Sequence, residues 1–424
     1  MLSSKRLRVT ALTLGALLIA TGCGSGGDSG AKTSELKLYN DKGAWKPFFE
    51  QMGTLGKEQT GLGMKPVGYT DEPTYTAFIK TSFRTKVKPD LFTWTTGGRL
   101  QEIVKQNQVA DTSQLWQDAI KSGDLSADLQ KYYTVGGKQY CVPLQTGYWG
   151  MFYNKKIFAK YGLKPPTTWA ELDTLARTLK AKGQVPFNHT TPTSLFSFAW
   201  FEQLLAGSDP DLYERLSTGQ ASYTDPGVVK AMERWKSMID SGWFSNPGDK
   251  ADPADHFKSG DAAMVISGTW FNTSMTQRGL KQGEDYGFFF IPNVEPSLPK
   301  TSLVFESGPL CSLRKAPDKE ASMKYLKWWI TPGAQEKWAN MRGDVSSDPK
   351  VKVADPELDK VSKQAASDKN RLVLRYFEAA PAPVLTEALS GFDKFLNKPD
   401  TYMKVLQSIQ KVNEEYWKTH KAGS

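Results

Sequence analysis

The 424-residue sequence has little of what most enzymes and nucleic-acid-binding proteins need. Its three histidines and three cysteines are scattered, without the spacing of a metal site. No G-x-S-x-G, H-E-x-x-H or P-loop motif occurs. The formal net charge is +9, but the basic residues form no run that could follow a phosphate backbone. We therefore expect no nucleic-acid partner, no metal and no cofactor.

Long hydrophobic runs are also scarce, and the one apolar run lies near the start. Basic residues within 5–8 precede an apolar stretch at 9–20. That stretch is shorter than the roughly 20 residues that span a bilayer. A basic start, a short apolar run and small residues after it indicate a secretory signal peptide over residues 1–22.

The residues after this run predict a membrane tether. The segment Ile19-Ala20-Thr21-Gly22-Cys23 resembles a bacterial lipobox. That resemblance implies lipid on Cys23, with an ordinary cleaved signal as the alternative. The glycine- and serine-rich residues 24–30 bury nothing, so residues 23–33 are expected to form a flexible tether. The protein would then be anchored to a membrane without spanning it.

The remaining 402 residues, 424 less 22, are enough for two or more domain-sized cores. Strand and helix patterns alternate along them, which favours an α/β fold with a largely parallel sheet. Predicted strands cover 35–39, 64–69, 89–94, 139–142, 150–153, 262–266, 286–291 and 303–306. Predicted helices cover 45–59, 74–83, 99–109, 169–182, 194–206, 225–241, 317–330, 332–340 and most of 378–418.

Tryptophan is abundant, with 13 residues, and several follow predicted strands. Trp94, Trp270 and the pair Tyr148-Trp149 occupy such positions. Ligands bind at the carboxyl ends of strands in open α/β sheets. An indole face suits the C–H face of a pyranose ring, so these residues are candidate sugar contacts. Burial in a core is the alternative for each.

Charged side chains would bond the sugar hydroxyls. Candidates are Asp41, Glu306, Arg342 and Asp344, because charged groups make the stronger hydrogen bonds. Asp41 could instead cap a helix, and Arg342 with Asp344 could form an ion pair in a loop. Trp200 lies in an apolar helix and is a further candidate contact, with burial as its alternative.

Two cysteines remain if Cys23 is lipidated. Cys141 and Cys311 could form a disulfide outside the cytoplasm. They could equally be two buried free thiols, each a small apolar filler. Both possibilities stay open, because sequence does not give the distance between them.

Several ordered segments together resemble the extracytoplasmic solute-binding proteins of carbohydrate ABC importers, the maltose-binding-protein-like family. These segments are Pro89-Asp90-Leu91-Phe92, Tyr140-Cys141-Val142-Pro143, Tyr153-Asn154-Lys155, Gly162 to Leu172, Gly260 to Met264 with Gly268-Thr269-Trp270, and Pro317 to Met341.

The resemblance implies a two-lobe periplasmic-binding-protein fold of type II, with the ligand cleft between the lobes and three hinge crossings. One lobe would take residues 34–144 and 302–343, and the other 147–300 and 345–424. The cleft residues of the family correspond in this sequence to Trp94, Thr95 and Trp270, and also to Tyr148 and Trp149.

The function that the resemblance implies is binding, without catalysis. The protein would hold a sugar, expected to be an oligosaccharide, outside the cell and deliver it to an ABC transporter permease. It would act as a monomer, lipid-anchored on the extracytoplasmic side of the cell membrane. Two alternatives remain: a non-sugar solute such as a polyamine on the same fold, and a lipid-anchored glycoside-processing enzyme.

Overall fold

The computed structural model describes residues 34–189, 196–249 and 251–420. The predicted signal peptide and the tether with Cys23 lie outside the described residues. Within them, no helix combines the length and apolar character needed to cross a membrane.

Helices and strands alternate through the described chain. The strands are β1 Glu35–Asn40, β2 Gly63–Gly68, β3 Leu91–Thr93, β4 Thr134–Val135, β5 Lys138–Gln139, β6 Val142–Asn154, β7 Val185–Phe187, β8 Ala262–Gly268, β9 Tyr286–Phe289, β10 Thr301–Ser312 and β11 Asn370–Leu374. The helices are α1 Lys46–Thr60, α2 Glu72–Ser82, α3 Gly98–Lys105, α4 Ser113–Ser122, α5 Ala127–Gln130, α6 Lys155–Tyr161, α7 Trp169–Ala181, α8 Ala199–Ala206, α9 Pro210–Ser217, α10 Pro226–Asp240, α11 Pro253–Ser259, α12 Phe271–Gln277, α13 Lys319–Trp329, α14 Pro332–Arg342, α15 Pro356–Ala365, α16 Tyr376–Ala379, α17 Ala382–Asn397 and α18 Tyr402–Thr419.

The main sheet has nine strands in the order β2-β1-β3-β10-β6-β8-β7, with β11 paired to β10 and β9 paired to β6. The prediction of a largely parallel sheet is wrong. In the described residues β10 runs antiparallel to β3 and β6, and β6 runs antiparallel to β8 and β9. The remaining pairs, β1–β2, β1–β3, β10–β11 and β7–β8, are parallel.

Two long strands cause this mixed arrangement. The strand predicted at 150–153 lies inside one longer strand, β6, which continues from 142 to 154, whereas the strand predicted at 139–142 shares only its last residue with β6. Its partner β10 is 12 residues long and lies beside it. Because β6 carries the chain across the molecule and β10 carries it back alongside β6, these two neighbouring strands run in opposite directions.

Two large hydrophobic cores flank these strands. The first core contains buried residues from 36–144 and 305–338 together with Leu374. The second core contains buried residues from 149–291 and 373–409 together with Val304. Along β6, Leu144 belongs to the first core and Trp149 to the second. The chain therefore crosses between the cores within β6, and it crosses back within β10.

Local sequence signals explain where several helices begin and end. Thr168 and Glu171 form a capping box at the start of α7, in which the side chain of each residue accepts a hydrogen bond from the backbone N–H of the other residue. Asp318 caps α13 through the Ala321 N–H, at 2.9 Å. Buried Asp90 accepts bonds from the backbone of Lys37 and of Asp318, so the Pro-Asp motif joins β1 to the start of α13.

Cys141 and Cys311 form a disulfide whose Cα atoms are 4.2 Å apart. Both residues are fully buried in the first core. Cys141 has a left-handed backbone with φ of 63°. Thr112 Oγ1 and Trp116 Nε1 both donate to its carbonyl oxygen, at 2.8 and 2.9 Å, and hold it in place. The disulfide joins the residue before β6 to the end of β10.

Candidate ligand-binding site

A cavity of about 240 Å³ lies beside the middle of β6 and β10, where both strands pass from one core to the other. Gln145 of β6 and Glu306 of β10 line it. Other lining residues come from the start of α1, the end of β3, the start of α12 and the segment after β11. We call it the ring-lined cavity because aromatic side chains form much of its wall.

Five of the predicted site residues line this cavity: Asp41, Trp94, Thr95, Trp270 and Glu306. Sequence reasoning missed the remaining lining residues, which are Lys42, Trp45, Phe196, Gln145, Ser307, Gly308, Arg375, Phe377 and Glu378. Ligand contact by the five predicted residues stays a prediction.

Aromatic rings reach the cavity from both cores. Trp45 and Trp94 come from the side of the first core, and Trp270 and Phe196 from the side of the second. Trp94 is buried, and its Nε1 donates to the carbonyl of Arg99 at 3.0 Å, which fixes the ring. The other rings are half-buried and present apolar surface to the cavity. Aromatic side chains contributed by both cores can hold a flat, partly apolar ligand.

The Gly268-Thr269-Trp270 segment holds the Trp270 ring in position. A Cβ atom at Gly268 would lie 2.3 Å from Trp270 Nε1, so only glycine lets the indole lie over this backbone. Thr269 donates from its backbone N–H to the Tyr148 carbonyl at 2.9 Å. Its Oγ1 donates to Asp344 Oδ1 at 2.6 Å. The motif thus lets the Trp270 indole lie against the backbone at Gly268, and the hydrogen bonds of Thr269 fix the position of this segment.

Asp41 supplies a carboxylate on the side of the first core. Thr93 Oγ1 donates to Asp41 Oδ1 at 2.7 Å, and Lys42 forms an ion pair with it at 3.2 Å. Burial alone would raise the pKa of Asp41, but Lys42 and Thr93 lower it below its ordinary value. The carboxylate is therefore charged at neutral pH. It does not cap a helix, which was the alternative for this residue.

A buried charge cluster also lines the cavity. The Arg375 guanidinium forms ion pairs with Glu306 and Glu378, and its Nε donates to Glu378 Oε2 at 2.8 Å. Burial by itself would lower the pKa of Arg375, but the two glutamates raise it. Burial raises the pKa of Glu378 despite the opposing effect of Arg375. The cluster offers fixed hydrogen-bonding groups, with one guanidinium held between two carboxyl groups.

Tyr148, Trp149 and Trp200 do not line the ring-lined cavity. Tyr148 and Trp149 lie inside β6 and not at a strand end, because that strand is longer than predicted. Trp149 is 1% exposed, and its Nε1 donates to Glu306 at 3.3 Å, so it positions a cavity carboxylate from behind. Trp200 lies in α8 and is also 1% exposed.

Arg342 and Asp344 also lie outside the ring-lined cavity and form a buried ion pair at 3.7 Å. The Arg342 guanidinium lies 3.3 Å from the centre of the Trp45 ring, and its Nη1 donates to Gln145 Oε1 at 2.8 Å. Both contacted residues line the cavity. The alternative given above for these two residues, an ion pair, is therefore present in the structure. Through Arg342 the pair contacts two residues of the cavity wall without itself lining the cavity.

Burial outweighs the mutual attraction of this pair. It lowers the pKa of Arg342 to about 10 and raises the pKa of Asp344 from 3.8 to about 6. A folded-state pKa above the unfolded value means that the folded protein binds the extra proton. The contribution of Asp344 to stability is therefore present below pH 4 and is lost as the pH rises through 6.

The Asp344→Asn variant tests this assignment, because the amide keeps the acceptor for Thr269 and has no charge to lose. We expect the stability of the variant relative to wild type to increase by up to about 3 kcal/mol between pH 4 and pH 7.5. Urea unfolding at a series of pH values measures the difference. Parallel pH profiles for the two proteins would contradict the assignment.

Comparison with solved structures identifies the class of the fold. The chain matches a bacterial solute receptor with a preference for β-D-galactopyranose at a TM-score of 0.77 and 19% identity, covering 90% of this chain and 98% of that one. It matches a chitin oligosaccharide binding protein at a TM-score of 0.76 and 20% identity, covering 91% and 99%. The protein has the α/β two-lobe solute-binding fold.

The family follows from sequence comparison. The profile of the bacterial extracellular solute-binding protein family matches residues 52–368, and the chain belongs to this family. An uncharacterized ABC transporter extracellular-binding protein of Pyrococcus horikoshii is 26% identical over 97% of both chains. A multiple sugar-binding protein of Streptococcus mutans is 28% identical over 50% of this chain and 52% of that protein.

Proposed function

We propose that the protein binds a sugar, specifically an oligosaccharide, outside the cell and delivers it to the permease of an ABC importer. The observation that carries the proposal is the ring-lined cavity, whose wall combines aromatic side chains from two cores with charged hydrogen-bonding groups. Stacked rings bind the C–H faces of a sugar, and the charged groups bond its hydroxyls. The solved relatives that bind galactopyranose and chitin oligosaccharide support the same ligand class.

The proposal includes closure of two lobes around the ligand. We keep 34–144 with 302–343 as one lobe and 147–300 with 345–424 as the other. The separate first and second cores support this division. Closure would bring Trp45 and Trp270 against opposite faces of one sugar.

A thermal-shift screen tests the ligand class. We expect one or more mono- or oligosaccharides to raise the melting temperature, while amino acids and polyamines leave it unchanged. Binding to the native state alone stabilises a protein in proportion to the logarithm of ligand concentration over Kd. A shift with another solute class and none with any sugar would contradict the proposal.

A cationic solute such as a polyamine is the second candidate. The cavity contains three carboxylates, those of Asp41, Glu306 and Glu378, and two basic side chains, those of Lys42 and Arg375. A carboxylate excess beside aromatic rings is suited to a cation. The same screen separates the two candidates, because a polyamine would then give the larger shift.

A lipid-anchored glycoside-processing enzyme is a less favoured reading. Glycoside hydrolysis needs two carboxyl groups free to act on the bond. Glu306 and Glu378 are both engaged with Arg375. Turnover of a chromogenic glycoside, abolished by replacing one carboxylate, would favour the enzyme.

Trp270→Ala is expected to weaken sugar binding by about 1–3 kcal/mol with little loss of stability, because the half-buried ring would stack on the ligand. Isothermal titration calorimetry measures the affinity. Trp417→Ala is the control, since Trp417 lies in α18 away from this cavity. If the Trp270→Ala variant is largely unfolded and its remaining native fraction binds sugar with unchanged affinity, Trp270 is a core residue and not a ligand contact.

We also propose that lipid on Cys23 tethers the protein to the outer side of the cell membrane as a monomer. A flexible tether of about ten residues would keep the binding protein close to its permease. This raises its effective concentration there without any new contact.

A further inference from the structure

A second cavity, of about 130 Å³, lies beside the ring-lined cavity, and we call it the side cavity. Phe196 and Trp270 line both cavities, and their ring centres are 5.7 Å apart. These two rings therefore form a shared wall. A group attached to a sugar that stacks on Trp270 would be close to the side cavity.

The side cavity is almost free of charge. Its wall contains apolar side chains such as Ala199 and Val265, and neutral polar side chains such as Ser267. Burial lowers the pKa of His189 to about 3, so its imidazole is neutral at physiological pH. Among the described lining residues the one carboxylate, that of Asp252, caps α11 and forms an ion pair with Arg278. None of these described residues is a Lys or Arg that could receive an anion.

Two of the lining side chains are buried and have one ring nitrogen without a hydrogen-bond partner in the part of the chain that the structure describes. These atoms are Trp200 Nε1 and His189 Nε2. An indole N–H can only donate, so a group that satisfies Trp200 must carry an acceptor. Buried donors without an acceptor are rare and costly, which makes a ligand oxygen the natural partner.

The volume limits what can enter. A cavity of about 150 Å³ holds benzene, and a hexopyranose with its hydroxyls is larger than benzene. The side cavity is therefore too small for a second sugar ring but large enough for a substituent of a few heavy atoms. That substituent must be small, uncharged and partly apolar, and it must present an oxygen acceptor.

We propose that the side cavity receives the acetamido group of an N-acetylated amino sugar whose ring lies in the ring-lined cavity. The methyl group would contact the apolar wall, and the carbonyl oxygen would accept from Trp200 Nε1. This inference rests on the proposed sugar-binding function and adds the class of sugar to it.

Calorimetric titration of the full chain with matched sugar pairs tests the inference. The pairs are cellobiose with N,N′-diacetylchitobiose, and lactose with N-acetyllactosamine. We expect the acetamido member of at least one pair to bind on the order of tenfold more tightly, as one added hydrogen bond implies. Equal affinities within every pair would overturn the side-cavity inference and leave sugar binding standing. Binding of no sugar, together with binding of another solute, would overturn the proposed function itself.

Trp200→Phe removes the N–H and keeps an aromatic ring, so it should abolish the acetamido preference while the hydroxyl member still binds. Trp235→Phe is the matched control: its Nε1 is also buried without a partner, but Trp235 does not line the side cavity. Ala199→Leu, which fills the cavity, gives a second test if Trp200→Phe does not fold. A preference retained in the folded variants would overturn the inference.

Discussion

Arg375→Ala is expected to destabilise the protein by about 3–5 kcal/mol at pH 7.5, because it leaves Glu306 and Glu378 buried without their cation. Both carboxylate side chains are only 7% exposed, so they are largely removed from bulk water. The pKa of Glu378 is already raised by burial, and loss of Arg375 raises it further. The deficit should therefore shrink as the pH falls and the carboxyl groups take up protons. Urea unfolding at pH 7.5 and pH 5 measures both effects.

Arg371→Ala is the matched control for this variant. Arg371 also contacts two carboxylates, those of Asp211 and Glu214, but these partners are 69% and 38% exposed. Exposed ion pairs contribute about 0–1 kcal/mol, so we expect a small change without strong pH dependence. Equal losses of unfolding free energy in Arg375→Ala and Arg371→Ala would contradict the claim that the buried ion pairs of Arg375 contribute more to stability than exposed ones.

Removing the disulfide, by the double change Cys141→Ser with Cys311→Ser, is expected to have the second large effect. The bond links residues 170 apart in sequence, and the chain-entropy model gives about 5 kcal/mol for a loop of that length. Urea unfolding of the double variant beside the oxidised wild type measures the loss.

Ligand affinity distinguishes a brace within one lobe from a lock on the hinge. Both cysteines belong to the first core, so we expect the Kd for sugar to stay unchanged at temperatures where the variant is folded. Wild-type protein kept reduced by excess dithiothreitol serves as a control for the serine side chains. A large change in Kd with little loss of stability would contradict the role as a brace.

Much of the fold is predictable from sequence because each element carries its own periodicity. Met64 to Tyr69 and Ala262 to Ile266 are predicted as strands, and β2 and β8 occupy these positions. The antiparallel pairing of β6 with β10 is not predictable in this way. It depends on residues far apart in the chain, such as Phe305 opposite Tyr148 in register, rather than on local pattern.

The cavity residues divide in the same way. Trp94 and Trp270 follow strands in sequence, and the rule that ligands bind at strand ends selects them. The same rule would have selected Arg375 and Glu378 if the short apolar run before them had been recognised as β11. Trp45 lacked any such signal, because its exposure depends on Arg342, a residue nearly 300 positions away that stacks on it.

Native mass spectrometry of the protein purified from its host tests most directly whether the ring-lined cavity holds a saccharide. We predict a bound species whose mass corresponds to a saccharide, and the side-cavity proposal predicts that this saccharide contains N-acetylated residues. The bound species should be absent from the Trp45→Ala/Trp270→Ala double variant. A bound polyamine or another non-sugar solute, released by the same double change, would contradict the proposal.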